Sequence, residues 1–306
     1  MADASVDEVL ALKNQFYLGS FQTVINEATN PATTPRTETG KLDRRVLLHR
    51  AYICHGRFNL VLSELSAQET SMELRAVRIL ARYLASMTDQ LQQQEAVADA
   101  VALAEMIPFD VSPVVYVLLG TVFYHEGQTE EALKLLVRAP KHLECIALAV
   151  QVYLKMDRPD LAKKELDLFK SWADDATLAQ LIESWVNIAV GGPEKYQEAY
   201  YIFEEMANTG TSTCRLLTSK AVAMIQARKF EEADAILLEA LNKNPNDPDT
   251  LANMVIIATA LQKPTSVLNQ FMSQLKDVAP HHPLVQEQLL KESLFDRSAM
   301  RFSQTA

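Results

Sequence analysis

Small residues recur along this chain at a step that fixes its architecture before any other property is considered. Ala132, Ala162, Ala199 and Ala233, with Val267 in the same slot after them, stand about 30 to 37 residues apart. Each is followed four residues on by a large apolar residue: Leu136, Leu166, Phe203, Leu237 and Phe271. Four residues is one helical turn, so both side chains share a face. The small residue lets a second helix backbone come close, and the large one fills the space beside it. A chain that repeats this unit stacks pairs of helices along one axis, each pair burying its apolar stripe against its neighbours.

The segment Tyr116–Ala139 shows the unit most fully. Tyr116, Leu119, Gly120 and Phe123 lie three, four and seven apart, on one stripe of a first helix; Ala132, Leu136 and Ala139 form the stripe of a second. Gly127 supplies the left-handed backbone that ends the first helix. The order aromatic, Leu-Gly, aromatic, then Ala and a large apolar residue matches the tetratricopeptide pattern. A bulky side chain at Gly120 is expected to overpack the contact at a cost of about 1–3 kcal/mol. The expected fold is therefore an all-α, tetratricopeptide-like solenoid of helical hairpins, one domain over residues 1–306. About eight pairs span 6–280, beginning near Val6, and an amphipathic helix at 283–301 caps the last pair with Leu284, Leu289, Leu290, Leu294 and Phe295 turned inward. Residues 30–40, NPATTPRTETG, read as a flexible Pro/Thr-rich loop too polar to pack.

Composition narrows the function. The net charge of −10 gives no electrostatic footprint for nucleic acid and disfavours direct contact with an anionic membrane. Cys54, Cys145 and Cys214 are odd in number and sit in apolar helical segments, so they are expected to be small core residues in a reducing compartment. No apolar tract reaches the ~20 residues of a membrane helix, and the acidic N-terminus lacks a signal-peptide layout, which places the chain in the cytosol. The six histidines lack ligand partners at metal spacing, Gly191-Gly192-Pro193 is a turn rather than a phosphate loop, and paired glutamates such as Glu130-Glu131 sit at helix starts. No catalytic, cofactor-binding or metal-binding residues are expected.

A second stripe on the first helices carries the functional signal, because in such arrays it lines the concave surface. Here it is apolar, with Val117, Tyr124, Leu154, Ile188, Val222, Ile225 and Ile256 as its principal members. Two uses are open: contact between neighbouring first helices, or a groove for an apolar segment of another protein. A groove for acidic tails, the co-chaperone or scaffold alternative, would show Lys and Asn there instead.

Longer stretches are similar to one family. DEVLALKNQFYLGSFQTVINEA at Asp7–Ala28, VQVYLKMDRPDLAKKEL at Val150–Leu166, DDATLAQL at Asp174–Leu181, AYYIFEEMA at Ala199–Ala207 and LFDR at Leu294–Arg297 resemble the epsilon subunit family of coatomer, the COPI vesicle coat. The resemblance implies a strongly curved, nearly closed array, without catalytic activity, that wraps around the C-terminal domain of the coatomer alpha subunit. It further implies a cytoplasmic protein held on Golgi membranes and COPI vesicles only through the coat, acting in Golgi-to-ER retrograde and intra-Golgi transport.

Overall fold

The computed structural model describes residues 7–108 and 111–305, and all regular structure among them is helical. Val6, where the first pair is expected to begin, lies outside the described residues. The helices follow in pairs along much of the chain: α1 (Leu10–Tyr17) with α2 (Phe21–Thr29), α3 (Glu38–Cys54) with α4 (Phe58–Glu64), α5 (Met72–Ala85) with α6 (Gln90–Glu105), α7 (Val114–His125) with α8 (Thr129–Leu136), α9 (Leu143–Lys155) with α10 (Pro159–Ala173), then the single helices α11 (Thr177–Val190) and α12 (Pro193–Thr209), and again α13 (Cys214–Gln226) with α14 (Phe230–Lys243) and α15 (Pro248–Ala260) with α16 (Thr265–Val278). A last helix, α17, runs over Pro283–Thr305. Where the repeat pattern treats the chain as one array, packing gathers these helices into two compact units, residues 1–190 and 191–306.

In the first unit each first helix packs on the next, α1 on α3, then α5, α7, α9 and α11, and α1 also packs on α11. The row thus closes on itself as a ring of six. One core cluster runs from α1 to α9, and Val115, Leu119 and Val122 of α7 are fully buried in it. Gly120 sits at the α7–α8 crossing, where an added Cβ would lie 3.1 Å from Leu148 Cδ2 and 3.4 Å from Leu136 Cδ2. The repeat-packing residues Tyr116, Phe123, Ala132 and Ala162 are buried here as well.

One turn geometry recurs between paired helices. After the first helix a residue adopts positive φ, and the next N–H reaches back to the carbonyl five residues earlier, as Gln128 does to Phe123 at 2.9 Å. Gly19, Gly56 and Gly127 hold that position, and so do Asp157, Arg228 and Gln262.

Two expectations need correction. Residues 30–40 are not a loop throughout: Pro31–Thr33 form a short 3-10 turn and α3 begins at Glu38. Polar groups hold the segment around the buried Pro35. Glu8 Oε2 accepts from the backbone N–H groups of Arg36 and Thr37, both at 3.1 Å, and from Thr37 Oγ1 at 2.8 Å. Arg44, buried, donates to the carbonyls of Ala28, Glu27 and Asn30, which tie off the end of α2.

In the second unit α12 to α16 pack in sequence, with Ala199, Phe203, Ala233 and Leu237 buried between neighbours. Here the second correction falls. Of α17, Val285 is buried and Leu284 packs beside Leu251, Ala252 and Leu275, but Leu289, Leu290, Leu294 and Phe295 are 45–73% exposed. The helix caps the last pair with its first turn only. Around its axis these four residues do not share one face, so no single flat surface could bury them all.

Candidate functional site

The ring of the first unit brings polar and charged side chains from three helices to one place. Glu144 of α9 accepts the hydroxyl of Tyr17 from α1 at 2.6 Å, and its second oxygen lies 2.9 Å from Arg50 Nη2 of α3. That second oxygen has no well-angled hydrogen bond, so its attraction to Arg50 is that of an ion pair. The Arg50 guanidinium also stacks 4.6 Å above the Phe16 ring of α1. Both charges are nearly removed from water, with side chains 8% and 12% exposed. Burial by itself would push the Glu144 carboxyl up; Arg50 and the Tyr17 hydroxyl outweigh it and hold the group below the ordinary carboxylate range. Burial, then the Glu144 charge, raises the Tyr17 hydroxyl. This interlock joins α1, α3 and α9 across the ring, and a cavity of about 180 Å³ beside it is bordered by Lys13, Asp43 and His142.

The predicted stripe divides according to burial. In the first unit Val117 is buried in the core, whereas Tyr124, Leu154 and Ile188 are half-buried. Lys155 stands 4.3 Å over the Tyr124 ring and donates to its carbonyl, so a cation sits beside the apolar stripe. In the second unit Val222 and Ile225 of α13 are half-buried and Ile256 of α15 is 44% exposed. Next to them Thr218 and Thr250 are buried and share a hydrogen bond of 2.7 Å between α13 and α15. Half-exposed Val and Ile on packed helices are the part of the stripe a partner can reach.

Several contacts escape pattern reading. Lys220, in a slot that favours Leu, lies 3.2 Å from Glu204 Oε1 and 5.1 Å over the Tyr200 ring, so it closes the α12–α13 contact through its charge. Glu144 carries no repeat signature, and its place early in an apolar helix is the one signal that could have found it. Cys54 is exposed, contrary to the core expectation, because it falls on the last residue of α3; Cys145 is buried, which pushes its thiol up to about 12. Among the described residues no group of three or more His, Cys, Asp or Glu is placed to hold a metal, and no helix is long and apolar enough to cross a membrane.

Comparison with known proteins adds the context of this surface. The family model described as coatomer epsilon subunit matches residues 5–303. The chain is 36% identical over 300 residues to coatomer subunit epsilon-1 of Arabidopsis thaliana, covering 98% of this chain and 99% of the relative. It is 34% identical to coatomer subunit epsilon of Dictyostelium discoideum, covering 98% and 100%. Among solved structures, a tetratricopeptide repeat protein from Parabacteroides merdae superposes with a TM-score of 0.57 at 13% identity, covering 88% of this chain and 97% of that one. At that identity the likeness is one of fold.

Proposed function

This chain belongs to the coatomer epsilon subunit family, whose members are non-catalytic subunits of a vesicle coat, and on that premise we propose that it holds the C-terminal domain of the coatomer alpha subunit through the apolar stripes of its first helices. The observation that carries the reading is the row of Val222, Ile225 and Ile256, accessible on α13 and α15 of the second unit. In the first unit Tyr124, Leu154 and Ile188 contribute, while Val117 serves ring packing. Clasping a folded domain buries area on the scale of obligate complexes, above roughly 2,000 Å². The coat would then bring the chain to Golgi membranes and to retrograde and intra-Golgi transport without lipid contact of its own, which suits a net charge of −10.

Replacing Val222, Ile225 and Ile256 together by Asp is expected to abolish co-purification of the alpha-subunit domain while circular dichroism retains the helical signal. Undiminished co-purification by a folded variant would remove this surface from the interface. The alternative of a scaffold for short acidic tails predicts instead salt-sensitive, micromolar binding of isolated peptides to the same stripe.

A further inference from the structure

We propose that the cleft between the α4–α5 connection and α6 binds an oxyanion-bearing peptide segment of a partner protein, with Arg75 and Arg78 as its anchors. The cleft is a cavity of about 370 Å³ in the first unit, walled by the α5 arginines, by Ile79, and by Asp99 and Met106 from the α6 side. Arg75, Arg78 and Arg82 stand at i, i+3 and i+7, one face of α5. They are not equivalent. Arg82 is already neutralised by Glu95 and Asp99. Arg78 donates Nε to the Leu65 carbonyl at 3.1 Å, which fixes the plane of its guanidinium but leaves the charge uncompensated. Arg75 has no hydrogen-bond or ion-pair partner for its guanidinium among the described residues.

Both side chains are half-buried, so each has given up part of its hydration. In a chain with 39 acidic and 29 basic residues, pairing every arginine would be easy, yet Arg75 and Arg78 carry no ion pair in a cleft whose lining carboxylate, Asp99, is engaged by Arg82. A ligand anion would recover that cost, and a planar guanidinium fork fits phosphate or carboxylate through two hydrogen bonds. The neighbouring wall selects what carries the anion. Ile79 lines the cleft and Met106 is 55% exposed at its edge, an apolar shelf useless to a free ion and suited to an aliphatic side chain next to the charged residue. A lipid surface fits less well, because the acidic remainder of the chain would meet the same anionic headgroups. The site is separate from the α13 and α15 stripe, so it stands or falls independently of alpha-subunit binding.

The test uses the full chain and fluorescein-labelled short peptides in which one phosphoserine, one glutamate or one serine is flanked by leucines, read by anisotropy, with inorganic phosphate and phosphatidylserine vesicles as competitors. The expected result is saturable binding of the phosphoserine or glutamate peptide and not of the serine peptide, weakened about tenfold or more by Arg75→Gln with Arg78→Gln. Arg75→Gln alone, at a side chain that holds nothing in place, gives at least a threefold loss and covers failure of the double variant to fold. Absence of saturable binding, equal binding by the folded variants, inorganic phosphate as tight as the peptide, or binding to vesicles alone would overturn the proposal.

Discussion

At the scale of single residues, the interlock of Tyr17, Arg50 and Glu144 is where electrostatics is concentrated. Removing one member of a buried ion pair strands the other, so Glu144→Gln is expected to cost about 3 kcal/mol, read from urea unfolding at neutral pH. The pH dependence has a definite sign. The folded-state carboxyl titrates below its unfolded value, so its contribution is complete above the ordinary carboxylate range and is lost as pH falls through the folded value. Burial lowers His142 against the opposing pull of the Glu144 charge, with Lys13 and Arg50 adding to the lowering, and its contribution likewise fades as pH drops below the ordinary histidine value. Wild type therefore loses stability toward acid, and Glu144→Gln flattens the carboxylate part of that loss; parallel profiles would contradict the assignment. None of this could be read from the repeat pattern, because it joins residues 127 positions apart in sequence.

At the scale of elements, the hairpin turns show what local chemistry tells and what it conceals. Gly127 could be assigned from sequence because glycine reaches positive φ without strain, whereas Asp157, Arg228 and Gln262 adopt the same conformation with a Cβ in place. The recurrence of the slot, rather than residue type, identifies them. Arg228→Gly is accordingly expected to stabilise the protein by about 0.5–1 kcal/mol, seen as a raised melting temperature, while Gly127→Ala destabilises it by at least as much. The helices themselves were legible because apolar spacing reports a buried face. That same spacing misplaces α17, since a sequence does not say whether the surface that covers a greasy helix belongs to its own chain. Truncation after Gln288 is expected to leave stability within about 0.5 kcal/mol, whereas Leu275→Ala, in the cluster beneath the first turn of α17, costs about 2–5 kcal/mol. Residues 30–40 mislead in the opposite sense, for polar side chains from Glu8 and Arg44 tie down a segment that a Pro/Thr-rich composition marks as a loop.

At the scale of the whole molecule, a repeat of small and large residues specifies all-helical pairs, and the coatomer epsilon family places them in a vesicle coat. The closure of α1 onto α11 was not legible from the repeat, because it depends on small rotations between successive pairs. It carries a functional consequence: closure buries Val117 in the ring, whereas Tyr124, Leu154 and Ile188 stay half-buried, as do Val222 and Ile225 of the second unit, and Ile256 is exposed. The most direct test of the account is light scattering during size-exclusion of the full chain mixed with the C-terminal domain of the alpha subunit. One-to-one co-elution is predicted, abolished when Val222, Ile225 and Ile256 are changed to Asp; separate elution of the two wild-type proteins would contradict it.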